Sequence, residues 1–226
     1  MNELSKISTK HLSPLSLDHA YIQRNPAPAY WALSPYLIHQ HTDASCSLAT
    51  ATMLLNGARA IEGQAEIGRF VSERGLLERM ADPDWEKEIT PPNGNGISLL
   101  ALGEKLVKAL RLYELPHWQV DLCTISAADA AASEAFRAQL VAMEAKGDRL
   151  IAGNYHLATT YGDQWDVGHF SPVGAYDGAT DRVLLLDVWK ADYEPCWLPL
   201  ARLVEGMTQR SASTGNPRGY LALRRG

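Results

Sequence analysis

Cysteine is scarce in this sequence: three residues in 226, Cys46, Cys123 and Cys196, an odd number spread widely along the chain. Such a set cannot build a disulfide framework and offers no Cys-x-x-Cys spacing for a zinc site, so free thiols in a reducing compartment are expected. Long apolar runs are missing as well. No stretch approaches the roughly 18 consecutive apolar residues of a membrane span, and Met1 to Leu17 lacks the apolar segment of a secretory leader, which together predict a cytoplasmic protein without membrane contact. A basic excess is absent too: 21 Lys plus Arg against 26 Asp plus Glu leave a net charge of −5, which argues against nucleic acid as a partner. Neither internal repeats nor low-complexity tracts occur. What remains is ordinary globular composition, 46% hydrophobic and 21% charged, in a chain long enough to bury a core without metal or disulfide staples.

The segment 1–30 is rich in Ser, Pro and Asn and reads as a surface arm. A single domain is expected over 31–226, with a helical lobe at about 31–147 and a β lobe at about 148–226. Helices are predicted at Cys46 to Ala60, around 64–74, around 98–112, and at 127–146 behind an Ser126/Asp129 start signal. Short runs separated by Gly, Asp, Asn and Pro predict strands at Arg149 to Tyr155, His169 to Tyr176, Arg182 to Trp189 and Gly219 to Leu223, with a short helix near Leu200 to Met207. The fold class is α+β, with a mainly antiparallel sheet.

Cys46 falls where a helix begins, and the free N–H groups and dipole of a helix N-terminus stabilise an anion, so a thiol there ionises more easily. Alone, a cysteine at such a place is more often a small packing residue. Gln40, six residues upstream, can aim a side-chain amide at a carbonyl under attack while the Cys46 N–H supplies a second donor, the two forming an oxyanion hole. A base and an acid appear in GHFSPVGAYDGATDRVLLLDVW, read as a β-hairpin turning at Asp177-Gly178-Ala179. Symmetric pairing about Gly178 sets His169 opposite Asp187 on one face, with Cβ atoms about 4.5–5.5 Å apart. A slip of one residue would separate them to opposite faces. Asp187 ends an apolar strand and needs a partner if it is buried. Taken separately, His169 reads as a satisfied core histidine and Asp187 as a strand-end cap. The histidines of His39-Gln40-His41 read as loop residues rather than a metal clip, and Cys123 and Cys196 as packing residues.

Gln, Cys, His and Asp in this chain order resemble papain-like cysteine enzymes. More specifically, the stretch GHFSPVGAYDGATDRVLLLDVWKADYEPCWLPL resembles the signature region of phytochelatin synthases, keeping Gly168, His169, Ser171, Pro172, Asp187, Val188, Tyr193, Pro195, Trp197 and Leu200. QHTDASCSLATATMLLNGA resembles the family's nucleophile segment, and Asn154-Tyr155 and STGNPRGYLALRR its remaining blocks. The resemblance implies a papain-like fold and γ-glutamylcysteine transfer. Cys46 would attack glutathione at its Cys–Gly amide, His169 would act as base and then acid, Asp187 would orient it, and Gln40 would donate to the oxyanion.

Asn154, Arg218, Gly168 and Ser211 fall at family substrate positions. Three residues depart from the pattern: Ser47 stands where Gly usually follows the nucleophile, Ser211 where an acidic residue is expected, and Lys190 where an Arg is expected. The chain resembles the shorter bacterial members, which hydrolyse glutathione more readily than they polymerise it, rather than plant members with a Cys-rich extension. No cofactor or resident metal is expected; the resemblance allows heavy-metal stimulation through thiol substrates, and a homodimer is left open. The expected partner is a small peptide or a thioester. Alternative readings keep the triad with a carrier-bound thioester as acyl donor or, ranking last, take the chain as a non-catalytic thiol- or metal-binding module.

Overall fold

A computed structural model describes residues 11–92, 94–162, 165–189, 193–212 and 214–226. Among them, the elements run β1 (Ser13–Pro14), α1 (Ala20–Arg24), α2 (Pro28–Leu33), α3 (Cys46–Ile61), α4 (Glu73–Met80), α5 (Pro83–Glu88), α6 (Leu99–Leu112), β2 (Trp118–Thr124), α7 (Ala130–Lys146), β3 (Arg149–His156), α8 (Leu157–Tyr161), β4 (Gly168–Asp177), β5 (Arg182–Leu185), β6 (Cys196–Pro199), α9 (Leu200–Thr208) and β7 (Gly219–Arg225). The strands form one antiparallel sheet in the order β1-β6-β5-β4-β3-β7-β2. The architecture is α+β, with helices preceding most of the sheet. It is consistent with the papain-like expectation.

α3 runs through the centre of the protein. Every residue from Cys46 to Ala58 is buried, which a helix tolerates only when its sequence is apolar or small nearly all round. Gly57 marks the tightest approach, since a Cβ there would lie 2.9 Å from Leu33 Cδ2 and 3.0 Å from Leu150 Cδ1. The polar residues inside find partners. Asn56 exchanges hydrogen bonds with the backbone of Val71, and Trp85 of α5 donates its indole N–H to Ser47 Oγ at 3.2 Å.

Several predicted elements are displaced. The helix expected over 64–74 does not form, because Gly63 and Gly68 take left-handed φ of 70° and 76°. Helix starts instead after Ser72, whose hydroxyl accepts from Gly75 N–H, so α4 covers only the end of the predicted span. Asp129, not Ser126, caps α7. β2, inside the stretch read as helical, pairs along its whole length with β7. The part of the expected surface arm that is described packs on the sheet: Ser13 pairs with Trp197, and Ala27 and Ala29 are buried.

The β4–β5 hairpin departs from the expected register. Asp177 opens the turn by accepting from Ala179 N–H and the Thr180 hydroxyl, and Asp181 takes a left-handed φ of 52°, so the loop covers 178–181. Asp177 then pairs with Arg182 and Ala175 with Leu184, an odd displacement that, continued, would put His169 and Asp187 on opposite faces. An irregularity at Gly174 removes one residue from the count. Beyond it Val173 pairs with Leu185, and Leu186 N–H donates to Pro172 O at 2.9 Å. Asp187 therefore lies across from Ser171 rather than His169, diagonal to the imidazole but on its face. A side chain at Gly174 would meet Leu186 Cγ at 2.9 Å, which explains the residue type.

Candidate active site

Three hydrogen bonds gather the site from distant segments. Thr50, one turn beyond Cys46 in α3, donates its hydroxyl to Phe170 O at 3.1 Å and ties the helix to β4 beside His169. Gln40 N–H donates to Val188 O at 2.8 Å and ties the loop before α3 to the residue after Asp187. Asn154 of β3 donates its amide to His169 O at 3.1 Å and fixes the backbone of that residue. Cys46 is the first residue of α3, and the hydroxyl of the preceding Ser45 is committed to Thr42 rather than to capping the helix.

His169 and Asp187 are buried, and His169 Nε2 lies 3.0 Å from Asp187 Oδ1. The remaining ring nitrogen, Nδ1, is left for other partners. Burial opposes the imidazolium, but the charge and hydrogen bond of Asp187, joined by hydrogen bonding and charge interaction with Cys46, prevail and raise His169 to about 10. Burial likewise opposes the Asp187 carboxylate, and His169, Tyr161 and the Trp189 N–H overcome it, holding the group at about 2. The pair is thus an imidazolium–carboxylate ion pair at neutral pH, in contact with a cysteine at a helix start.

The remaining carboxylate positions are filled by residues that sequence reasoning did not single out for this role. Trp189 N–H donates to Asp187 Oδ1 at 2.7 Å, while the hydroxyls of Tyr155 and Tyr161 donate to Oδ2 at 2.9 and 2.5 Å. Tyr155 pairs directly with His169 across β3 and β4, a signal that correct strand pairing would have exposed. Tyr161 sits on a one-turn helix and carries no comparable signal. An aromatic wall borders the imidazole: the Trp189 ring is 6.0 Å from that of His169, and Trp165 lies 5.3 Å from Trp189.

Gln40 directs its side-chain amide to Thr42 O at 2.9 Å. Arg218 is buried, packs over Gly168 and donates to Gln209 O at 2.6 Å; burial lowers its pKa, and the charge of Asp166 opposes that shift. Asn154, Gly168 and Arg218 thus meet at one end of β3, β4 and β7. Ser211 belongs to the α9–β7 loop, its hydroxyl accepting from Thr214 N–H at 3.4 Å. Ser47, by bonding Trp85, is absorbed into the core. Lys190 lies outside the described residues. Among the described residues, no group of three or more His, Cys, Asp and Glu side chains is arranged to hold a metal, and no helix is long and apolar enough to cross a membrane. A cavity of about 430 Å³ lined by Arg59, Arg69, Arg79, Phe70 and Tyr113 includes none of these site residues.

A sequence model of the family described as phytochelatin synthase matches residues 15–220. The chain belongs to the phytochelatin synthase family. Among curated members, it is 28% identical over 207 residues to glutathione gamma-glutamylcysteinyltransferase 1 of Lotus japonicus, covering 90% of this chain and 37% of that protein. Glutathione gamma-glutamylcysteinyltransferase 2 of Arabidopsis thaliana is 26% identical over 234 residues, covering 98% and 48%. The corresponding transferase of Schizosaccharomyces pombe is 25% identical over 214 residues, covering 89% and 45%. The chain thus spans less than half the length of these phytochelatin synthase relatives. Within the family-matched stretch lie all eight residues proposed from sequence: Gln40, Cys46, Asn154, Gly168, His169, Asp187, Ser211 and Arg218.

Proposed function

We propose that this protein is a cysteine acyltransferase that draws on a γ-glutamylcysteinyl donor such as glutathione. Cys46 is the nucleophile. It works as a thiolate beside the His169 imidazolium: the sulfur attacks the carbonyl of the Cys–Gly amide, and the C–N bond breaks as the Nδ1 proton of His169 goes to the departing glycine nitrogen. The thioester then yields its acyl group to an amine or to water, with His169 taking the acceptor's proton. Asp187 orients the imidazole and stabilises its charged form. Gln40 and the Cys46 N–H serve the oxyanion, and Asn154, Gly168 and Arg218 form the donor's side of the site. The observation that carries this reading is the buried His169–Asp187 pair in contact with a cysteine at the start of a helix; family membership supplies the donor class.

Ser211 favours a second reading of the donor. A γ-glutamyl group presents an α-ammonium beside its α-carboxylate, and a serine hydroxyl returns no charge to the ammonium. A carrier-bound thioester has no such ammonium to satisfy. Incubating the protein with glutathione, γ-glutamylcysteine or a carrier thioester and weighing the intact chain decides between them, since the added mass identifies the acyl group. The expected adduct is γ-glutamylcysteinyl, absent in Cys46→Ala; an adduct that survives in Cys46→Ala would overturn the assignment of the nucleophile.

A further inference from the structure

Asp187 is held by more donors than orientation of one imidazole requires. Its Oδ1 receives His169 Nε2–H and Trp189 N–H, and its Oδ2 receives two phenol hydroxyls that approach from different elements. We propose that Tyr155 and Tyr161 are a positioning pair that fixes the plane of the Asp187 carboxylate and shares its charge, so that the imidazolium remains a strong enough acid to release its proton to the leaving group. This inference rests on the base and acid roles proposed above for His169 and Asp187.

The geometry supports it from both sides. Rotation of a carboxylate about χ2 is soft and roughly two-fold, so a single partner on each oxygen would leave the acid free to rock. Here Tyr155 stands opposite His169 in the β3–β4 ladder, its ring edge-on to the imidazole at 5.7 Å and 79°, while its hydroxyl anchors the acid that the imidazole bonds. One side chain thereby sets the spacing of the other two. Tyr161 arrives from α8 and stacks on Tyr193 at 4.3 Å. α8 can sit this close to α9 because Gly206 leaves room, a Cβ there falling 2.0 Å from Thr160 Oγ1.

Both phenols remain protonated donors throughout the working pH range. Burial first, and then the Asp187 charge, push each well above the ordinary tyrosine value. Among the described residues, the other titratable groups facing this cluster are Cys46 from α3, Cys196 from β6 and Tyr193. The Cys196 thiol is pushed up to about 12 by burial and by the Asp187 charge, and so stays neutral. A hydrogen bond to a charged acceptor spreads the acceptor's charge. Each phenol therefore weakens the hold of Asp187 on the imidazolium proton, and neither transfers a proton itself.

Tyr155→Phe and Tyr161→Phe keep the rings and remove one donor each. With either change the undiluted carboxylate should hold the imidazolium more tightly. The upper inflection in the pH dependence of Cys46 alkylation by iodoacetamide should then move upward by about half a unit to one unit, and kcat on glutathione should fall about tenfold with KM within twofold. A purely structural role predicts a lower melting temperature with the inflection unmoved. Replacing Tyr161 with 3-fluorotyrosine, a stronger donor of nearly the same size, should move the inflection downward and covers the case in which a Phe variant does not fold. An upper inflection that disappears in His169→Ala but stays fixed in all three tyrosine variants overturns the positioning pair alone. An upper inflection that persists in His169→Ala overturns the reading of the base, and this inference with it.

Discussion

Replacing Asp187 by Asn removes one charge from a fully buried position and nearly nothing else. The amide can place its oxygen where Oδ1 now accepts from His169 Nε2–H and Trp189 N–H. Its NH₂ then meets the Tyr155 and Tyr161 hydroxyls, which can turn to accept. Packing and hydrogen bonding therefore survive, and the imidazole loses its counter-ion. Burial then acts unopposed on His169, which should fall from about 10 to below its ordinary value of 6.5, a drop of more than three pH units. At about 1.36 kcal/mol per unit this removes on the order of 4 kcal/mol of preference for the imidazolium, or roughly 10³-fold in any step that depends on it. The melting temperature should fall by about 2–4 °C for each kcal/mol of that preference the folded state loses. Iodoacetamide alkylation of Cys46 followed against pH reads the imidazole directly, and the rate of acyl transfer to a chosen amine reads the chemistry. An upper inflection still near 10 in Asp187→Asn, with transfer within threefold of the parent, would refute the electrostatic argument.

The same ion pair sets a pH window for stability. Asp187 is held low, so its contribution is present above about 4 and lost as pH falls toward 2; His169 is held high, so its contribution is present below 6.5 and lost as pH rises toward 10. Unfolding free energies from urea titrations should therefore decline on both sides of that plateau, by on the order of 2 kcal/mol on the acid side and about 4–5 kcal/mol on the alkaline side, and a wild-type-minus-Asp187→Asn difference that stays flat from pH 5.5 to 10 would contradict it. Ser211→Asp should raise kcat/KM for glutathione about tenfold, the equivalent of about 1.4 kcal/mol; steady-state kinetics showing no gain would remove Ser211 from the donor site. Gly219→Ala should cost more than about 3 kcal/mol, because φ is 154° there and a Cβ would lie 2.0 Å from Cys123 O. Gly178→Ala, whose Cβ would meet only Tyr176 at 3.5 Å, should be close to neutral in the same chemical denaturation.

Long elements with clear periodicity or caps were legible in the sequence. Cys46–Ile61 and Leu99–Leu112 begin within a residue of the predicted starts at Cys46 and 98. What escaped was non-local. β2 exists because β7, nearly a hundred residues later, supplies its hydrogen bonds, and Trp118–Thr124 has no local pattern that announces this. The His169–Asp187 contact was legible through an argument with the wrong detail. A turn centred on Gly178 gives direct pairing, whereas the four-residue loop and the irregularity at Gly174 displace it by an even number and so preserve the face. Tyr161 could not have been found, since its place depends on how α8 folds back on the sheet.

The irregularity at Gly174 bears on how this hairpin can change length. Its extra residue keeps His169 in phase: an unbulged ladder with the same residues would carry His169 to the far face, whereas removing the single extra residue while keeping the turn leaves Val173 opposite Leu185 and His169 on the face of Asp187. Loss of the bulge straightens the strand without separating acid and base by the thickness of the sheet. A one-residue gap between His169 and Asp187 in any relative is therefore absorbed at two places, within 178–181, outside the ladder, or at the bulge itself. A one-residue insertion into the paired part of β4 has no such outlet and must be matched by a second irregularity that restores the count.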